Sequence, residues 1–201
     1  MKKLIIVGAG GHGSVVADAA AKSGYKKIAF LDDGDKDTCL GYPVVGKTAD
    51  AAKYTGWDFF VAIGNAKIRE TVTENLTSLG LKIVNVIHPS AIVAKGVTMG
   101  KGVLLAAGAI VNPNATLGNG VIVNTAASVD HDNKIGKYCH VSVGARLAGE
   151  VTVEEYTWIG IGATISNKVS ICGECLIGAG ATVVKDLTEK GTYIGVPAKL
   201  K

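Results

Sequence analysis

The chain has 201 residues, of which 48% are apolar and 19% charged, with 27 glycines and a net charge of +4. This balance predicts one or two folded domains and excludes a disordered chain. Lysine and arginine form no block interleaved with aromatic residues, which argues against nucleic-acid binding, and no apolar run reaches the ~18 residues that cross a bilayer. The four cysteines fit a reducing compartment, so we expect a soluble, cytoplasmic protein.

The first 85 residues alternate strand and helix signals. The apolar start is interrupted by glycines too soon for a secretory signal, so it predicts a first strand. The predicted elements are strand 3–7, helix 14–23, strand 28–31, strand 59–63, helix 66–79 and strand 82–87. Such alternation predicts a small parallel α/β domain over residues 1–85, equivalent to half of a Rossmann-like fold.

A glycine-rich loop, Gly8-Ala9-Gly10-Gly11-His12-Gly13, lies between the first strand and the first helix. Its backbone amides and the helix N-terminus suit a phosphate group, and Asp32 and Asp33 follow the second strand, where a ribose-binding carboxylate is expected. Because 85 residues build only half of a dinucleotide-binding fold, the loop favours a mononucleotide or a nucleotide diphosphate. Two alternatives remain: an NAD-dependent dehydrogenase, and glycines that only form a tight turn.

From Ile87 to Thr182 the chain repeats every six residues, sixteen times, without an insertion or deletion. The first position of each hexad is a large aliphatic residue and the fifth is nearly always small. Neither a helix nor a single strand has this period, so each hexad predicts a short strand followed by a corner. Three hexads form a triangular coil, and residues eighteen apart lie above one another at ~4.8 Å. We therefore predict an all-β parallel solenoid over residues 86–201.

The segment Cys172-Gly-Glu-Cys175 resembles half of a zinc or redox site. The chain has no second such pair and no neighbouring pair of histidines. Cys175 and Cys139 occupy fifth positions, where a small side chain points inward. We expect no bound metal.

His131 occupies a third position and should point outward from a corner. Gly149 lies one coil above it and Asn167 two coils above it. A histidine base beside an unobstructed backbone N–H suits acyl transfer, with Asp132 or Asp130 orienting the imidazole. The alternatives are that His131 is only a polar corner residue, or that His140 is the base. Asn133, at an inward position, predicts a local polar network.

Aromatic side chains are expected on the outer faces of the solenoid. Trp158 lies eighteen residues after His140, and Tyr138 and Tyr156 form a similar pair. Exposed apolar faces favour association, so an oligomer with grooves between subunits is predicted.

Taken together, several motifs resemble one enzyme family. They are Gly8-Ala9-Gly10-Gly11-His12-Gly13, Ala62-Ile63-Gly64-Asn65, Ile87-His88-Pro89-Ser90-Ala91, Ser128-Val129-Asp130-His131-Asp132, Gly178-Ala179-Gly180-Ala181 and Gly195-Val196-Pro197-Ala198-Lys199. The chain is similar over its whole length to hexapeptide-repeat sugar acetyltransferases of the sialic acid O-acetyltransferase and UDP-4-amino-sugar N-acetyltransferase group. The resemblance implies that the solenoid is a left-handed β-helix.

The resemblance also implies a homotrimer that uses acetyl-CoA at sites between subunits. His131 would be the general base, Asp132 would orient it, and the Gly149 N–H would stabilise the tetrahedral intermediate. Relatives can carry glutamate where this chain has Asp132, and often carry cysteine where it has Asn133. The implied acetyl-CoA contacts are His140, Gly149, Ile161, Asn167 and Ala179. The implied nucleotide-sugar contacts are Gly10, Gly11, His12, Gly13, Asp32, Asp33, Ile63, Gly64 and Asn65.

The sequence therefore favours an acetyl-CoA-dependent N-acetyltransferase that acts on a UDP-linked amino sugar by direct attack of the amine. O-acetylation of a sialic acid or another sugar is the nearest alternative. A nicotinamide-dependent oxidoreductase and a non-catalytic scaffold remain as further alternatives.

Overall fold

The computed structural model describes residues 1–201 and contains two compact units, Met1–Pro89 and Ser90–Lys201. The elements of the first unit are β1 (Lys3–Val7), α1 (Gly11–Lys22), β2 (Lys27–Leu31), β3 (Thr38–Cys39), β4 (Tyr42–Pro43), a 3-10 helix (Thr48–Tyr54), β5 (Asp58–Val61), α2 (Ala66–Ser78), β6 (Lys82–Ile83) and β7 (Val86–Ile87). Neither helix is long and apolar enough to cross a membrane.

The first unit is built on a parallel four-stranded sheet in the order β2-β1-β5-β6. Its strands are near-continuous apolar runs, and the side chains of Ile5, Leu31 and Phe59 are fully buried, as expected when both faces are covered. The loops that follow β1, β2 and β5 meet at the carboxyl edge of the sheet, where α/β folds bind ligands.

Three details of this unit differ from the sequence prediction. α1 begins at Gly11 instead of residue 14, because Gly10 is already its extended N-cap residue, so His12 lies in the first helical turn and not in the loop. The predicted strand 82–87 is divided into β6 and β7. The β3–β4 hairpin and the 3-10 helix were not predicted, because elements of so few residues leave no periodicity to detect.

The second unit is a parallel solenoid of short strands. They are β8 (Ile92–Val93), β9 (Thr98–Met99), β10 (Leu104–Leu105), β11 (Ile110–Val111), β12 (Thr116–Leu117), β13 (Ile122–Val123), β14 (Ser128–Val129), β15 (Lys134–Ile135), β16 (His140–Val141), β17 (Arg146–Leu147), β18 (Thr152–Val153), β19 (Trp158–Ile159), β20 (Thr164–Ile165), β21 (Ser170–Ile171), β22 (Leu176–Ile177), β23 (Thr182–Val183), β24 (Thr192–Ile194) and β25 (Lys199–Leu200).

These strands form three faces. Face one contains β10, β13, β16, β19, β22 and β24, with β25 antiparallel at its end; face two contains β8, β11, β14, β17, β20 and β23; face three contains β9, β12, β15, β18 and β21. Successive strands on a face pair residues eighteen apart, as in Ser128↔Arg146 and His140↔Trp158. The predicted coil length is therefore confirmed.

Backbone hydrogen bonds join each coil to the next. The strand residue Ile110 donates its N–H to Ala127 O, and Asn112 donates to Val129 O. The fourth residue of most hexads adopts a left-handed conformation and donates its N–H to the third residue of the coil below, as Glu150 does to His131 O. Non-glycine residues pay about 1–2 kcal/mol in this conformation, and this regular inter-coil bond helps to offset that cost.

The interior of the solenoid is a stacked aliphatic column. Every first-position side chain from Leu105 to Ile177 is buried, and so is every fifth-position residue from Val103 to Ala181. Each fully buried aliphatic side chain contributes about 1.5–3 kcal/mol of transfer free energy. Cys139 and Cys175 point into this column, as predicted.

The expectation that Tyr138 is exposed was wrong. Its side chain is buried because the ring folds over Gly120 on the coil below, where a Cβ atom would lie 2.3 Å from the ring. The ring also stacks on Tyr156, with ring centroids 6.3 Å apart. Trp158, by contrast, is 46% exposed on face one, as predicted.

Candidate functional site

A histidine–aspartate pair lies at the edge between faces two and three. His131 and Asp132 form the corner between β14 and β15, and His131 Nδ1 lies 2.8 Å from Asp132 Oδ2. Asp132 adopts a left-handed conformation with a φ of 58°, which turns its carboxylate back toward the preceding residue. Both side chains are about half exposed, so the imidazole is accessible from outside the chain.

Gly149 lies one coil above His131 on the same edge and faces the imidazole ring. A Cβ atom at Gly149 would lie 2.3 Å from His131 Nε2 and 2.5 Å from Cε1, so a side chain at this position would displace the ring. Gly149 is buried, and its N–H donates no hydrogen bond to the protein. A buried N–H without an acceptor is rare in folded proteins, and it is available here to a ligand.

Neighbouring polar groups fix the backbone of this corner. Asn133 is fully buried and its side-chain amide donates to Asp130 O at 2.9 Å and to Ala148 O at 3.0 Å, which confirms the predicted polar network. Asp130 Oδ1 accepts hydrogen bonds from His131 N–H and from the amide of Asn112. Of the two carboxylates considered as partners of the imidazole, Asp132 contacts the ring, whereas Asp130 is bound to the His131 backbone and to Asn112.

The electrostatic environment favours the protonated imidazole. The hydrogen bond that His131 donates to Asp132, and then the negative charges of Asp130, Asp132 and Glu150, raise the pKa of His131 above its usual value. The same hydrogen bond, together with one from Asn114, lowers the pKa of Asp132. His131 is therefore a stronger base than a histidine without charged neighbours. Its Nδ1 faces the ionised carboxylate of Asp132, and its Nε2 points toward Gly149.

A second group of predicted residues lies on face one and at the edge between faces one and two. The rings of His140 and Trp158 stack with centroids 5.3 Å apart, and Asn124 Nδ2 lies 3.0 Å from His140 Nε2. Beside them is a groove of about 210 Å³ lined by Trp158, Ile161 and Ala179 among other residues. The side chain of Ile161 is 60% exposed there.

The two groups do not meet on one chain. Asn167 shares the edge of His131 and Gly149, whereas Ile161 and Ala179 occupy the edge between faces one and two. A broader groove of about 580 Å³ lies on face three, around Lys134 and Thr152, and contains none of the predicted residues.

In the first unit, the glycine loop supports close packing at one end and leaves open space at the other. A Cβ atom at Gly13 would lie 2.1 Å from Gly8 O, so glycine is required for α1 to approach β1. At Gly10 and Gly11 a Cβ atom would meet nothing within 4 Å. The N-terminus of α1 therefore faces an open space with a positive helix dipole.

The two aspartates after β2 have different partners. Asp32 accepts hydrogen bonds from Ala9 N–H at 2.6 Å and Gly34 N–H at 2.9 Å, so it ties the β2 loop to the glycine loop. These bonds lower the pKa of Asp32, with the Ala9 bond contributing most. Asp33 accepts from Thr48 N–H, at the start of the 3-10 helix.

The loop after β5 completes this edge of the sheet. Asn65 caps α2 by accepting from Ile68 N–H at 3.1 Å. Arg69 is 1% exposed and its guanidinium donates to Ile63 O and Gly64 O, each at 2.8 Å. Burial, and then the charge of Arg69, lower the pKa of His12 to about 4, so this imidazole is neutral at physiological pH.

Arg69 and Asn114 were missed by the sequence analysis. Arg69 lies in the helical segment 66–79 and had no recognisable partner in the sequence. Asn114 had a detectable signal, since it lies eighteen residues before Asp132. No group of three or more His, Cys, Asp or Glu side chains is arranged to hold a metal ion.

Comparisons with known proteins agree on one family of acetyltransferases. The family model of the PglD N-terminal domain matches residues 3–76. The UDP-N-acetylbacillosamine N-acetyltransferase of Bacillus subtilis (strain 168) is 35% identical over 116 residues, which cover 53% of this chain. The matched segment spans 52% of that relative, about half of its length.

Two solved structures match along the whole chain. The acetyltransferase domain of PglB from Neisseria gonorrhoeae FA1090, in complex with acetyl coenzyme A, has a TM-score of 0.96 and 40% identity, covering 100% of this chain and 99% of that chain. PerB from Caulobacter crescentus, in complex with CoA and GDP-perosamine, has a TM-score of 0.94 and 36% identity, covering 100% and 98%. The predicted fold class, an α/β unit followed by a left-handed β-helix, is confirmed.

Proposed function

This chain belongs to the PglD-like family of hexapeptide-repeat sugar acetyltransferases, and we propose that it transfers acetyl from acetyl-CoA to the amine of a nucleotide-linked amino sugar. The observation that carries this proposal is the His131–Asp132 pair, whose imidazole lies against Gly149, a buried residue whose N–H has no acceptor within the protein. The relatives named for a substrate are N-acetyltransferases, which favours an amine over a hydroxyl acceptor. The proposed location is the cytoplasm, together with the acetyl-CoA pool.

In this mechanism His131 is the general base. Its Nδ1–H donates to Asp132, so Nε2 holds the lone pair that accepts a proton from the attacking amine. The amine nitrogen bonds to the thioester carbon, and the Gly149 N–H donates to the oxyanion that develops there. The carbon–sulfur bond then breaks, the acetamide forms, and the CoA thiolate takes up the proton that His131 carried. Direct transfer of this kind needs no acyl-enzyme.

The nucleotide part of the acceptor is assigned to the first unit. Gly10, Gly11 and Gly64 border open space at the carboxyl edge of the sheet, and the amides at the N-terminus of α1 suit a diphosphate. His12, neutral and half-buried, would contact the ligand through a hydrogen bond and without adding charge. We propose UDP as the nucleotide, as in the name of the Bacillus subtilis relative.

An acceptor panel tests this function. Release of the CoA thiol would be followed with UDP- and GDP-linked 4-amino sugars, their free sugars and sialic acid. We expect turnover with a UDP-linked amino sugar. Turnover with sialic acid alone would reassign the protein as an O-acetyltransferase, and nucleotide-sugar binding without thiol release would indicate a scaffold.

We further propose a homotrimer in which each site combines two subunits. His131 and Asn167 lie on one edge of the solenoid, and the groove of Ile161 and Ala179 lies on another. One acetyl-CoA molecule can contact both groups if they come from neighbouring copies. The half-exposed Trp158 beside the groove is suited to a subunit contact.

Complementation tests this arrangement. His131→Ala removes the base, and Ile161→Asp places a charge in the apolar groove, so each variant alone should be nearly inactive. Co-expressed in equal amounts, they should regain about one quarter of wild-type activity, because random mixing unites an intact base with an intact groove at that frequency. A double variant that carries both changes on one chain, co-expressed with wild type, serves as the control for how freely the two kinds of subunit mix. Absence of recovery in mixed oligomers would place both halves on one chain.

A further inference from the structure

A chain of side-chain hydrogen bonds connects two consecutive coils at the edge that carries His131. Asn114 Nδ2 donates to Asp132 Oδ1 at 3.1 Å, and the other oxygen of that carboxylate, Oδ2, lies 2.8 Å from His131 Nδ1. The imidazole in turn faces Gly149 on the coil above. Asn114 itself is one full coil below Asp132 and does not contact the imidazole.

We propose that Asn114 is a positioning residue for the acetyl transfer, acting through Asp132 on the tautomer and orientation of His131. The inference rests on the proposed function for its catalytic consequence, although the tautomer of His131 can be observed without turnover.

The chemistry of the amide makes its effect directional. The Nδ2 group of asparagine is only a donor, so it selects an ionised carboxylate oxygen as its partner. With Oδ1 held by Asn114, Oδ2 remains in front of His131 Nδ1 and accepts its N–H. Because Asp132 is about half exposed, its carboxylate would otherwise rotate and exchange this partner for water.

The backbone conformation along this edge places the Asn114 amide next to the Asp132 carboxylate. Asn114 and Asp132 both adopt left-handed conformations, with φ values of 63° and 58°, and asparagine and aspartate tolerate this conformation better than most residues. Gly96, one coil further down, provides room, since a Cβ atom there would lie 2.6 Å from Asn114 Oδ1.

The electrostatic consequence has a definite sign. The hydrogen bond that Asn114 donates contributes to the lowered pKa of Asp132, and the hydrogen bond that Asp132 accepts from His131 is the main cause of the raised pKa of His131. When Asn114 is removed, Asp132 remains ionised at neutral pH but is no longer held against the ring. The pKa of His131 then falls toward its usual value, and the acid limb of kcat/KM moves to lower pH.

Asn114→Gly is the main variant, because glycine keeps the left-handed backbone without strain. We expect kcat to fall about 10-fold, a fraction of the 10²–10⁴-fold that a positioned base supplies, with the KM for acetyl-CoA little changed. The ¹⁵N spectrum of the His131 ring should change from one dominant Nδ1–H tautomer to a mixture. Asn114→Asp, which keeps the shape but places an acceptor against Asp132, should lower kcat at least as much.

The matched control is Thr116→Val. It removes a hydrogen bond of the same kind between two neighbouring coils, from Thr98 Oγ1 to Thr116 Oγ1 on face three, one coil interface below the Asn114–Asp132 bond and away from His131. This control should leave the ¹⁵N pattern and the pH profile unchanged, whereas a general effect of weaker coil stacking would alter both variants alike.

An Asn114→Gly protein with the wild-type ¹⁵N pattern and acid limb would overturn the proposal. A changed tautomer in Asn114→Gly, accompanied by full activity in His131→Ala, would retain the positioning contact but reject His131 as the base. The two failures are therefore distinguishable.

Discussion

Replacement of His131 by alanine should lower kcat/KM about 10²–10⁴-fold, the range that a positioned general base contributes. The side chain is about half exposed and supports no buried packing, so the variant should fold and unfold like the wild type. The KM for acetyl-CoA should remain close to the wild-type value, because the proposed groove around Ile161 is on another edge. Steady-state thiol release across a range of both substrates gives these quantities.

The pH dependence of kcat/KM tests whether the general base is the imidazole of His131. A base acts when it is unprotonated, so wild-type kcat/KM should fall as the pH decreases through the pKa of His131, which Asp132 holds above the usual value. Asp132→Asn removes the main cause of that shift and should move the acid limb to lower pH. Its plateau should also be lower, because an amide can stabilise the wrong tautomer of the ring.

His140→Ala is the informative comparison. His140 stacks on Trp158 and lies 3.0 Å from Asn124, so its loss should affect the KM for acetyl-CoA more than the acid limb. Near-normal activity in His131→Ala, together with a large loss of kcat in His140→Ala, would instead assign the general base to His140 and the acetyl-CoA contact to His131.

The smallest substitution with a large expected effect is Gly149→Ala. The added methyl group would lie 2.3 Å from His131 Nε2, a distance that forces the imidazole away from its position. Because a displacement of about 1 Å can cost on the order of 10²-fold in rate, we expect a loss of that size in kcat. Binding of acetyl-CoA, measured by calorimetry, separates a misplaced base from a blocked cofactor.

Gly173→Ala provides the matched control. Gly173 occupies the same corner position of its hexad, but a Cβ atom there would lie 3.1 Å from Glu155 O and no closer than 3.7 Å to side-chain atoms of Glu154 and Glu155. It should remain active and stable. Comparable losses in both glycine variants would point to damage of the coil corner instead of the imidazole.

The fold of the solenoid was predictable because its signal is one-dimensional. A repeat of six with aliphatic first positions determines strand, corner and the eighteen-residue register, and the pairing of His140 with Trp158 follows directly. The juxtaposition of His131 and Gly149 was predictable for the same reason. The handedness of the coils came from the family resemblance, since the period is the same for either hand.

Features that depend on side-chain direction were not predictable from the period. The left-handed fourth position is occupied by residues as different as Ala126, Tyr138 and Glu150, so composition does not identify it. The burial of Tyr138 depends on the packing of its ring over Gly120, which the period does not reveal. Arg69 escaped notice because its partners are backbone carbonyls, which carry no mark in the sequence.

The uniform register of the coils also constrains how such a protein can change in length. Loss or gain of one residue within a hexad would shift every later aliphatic side chain out of the central column and separate pairs such as Asn114–Asp132 and His131–Gly149. Eighteen residues, added or removed together, would return each face to its place. Point substitutions can thus accumulate freely on the outer faces, while the chain is expected to grow or shorten only by whole coils or by loops that protrude from a corner.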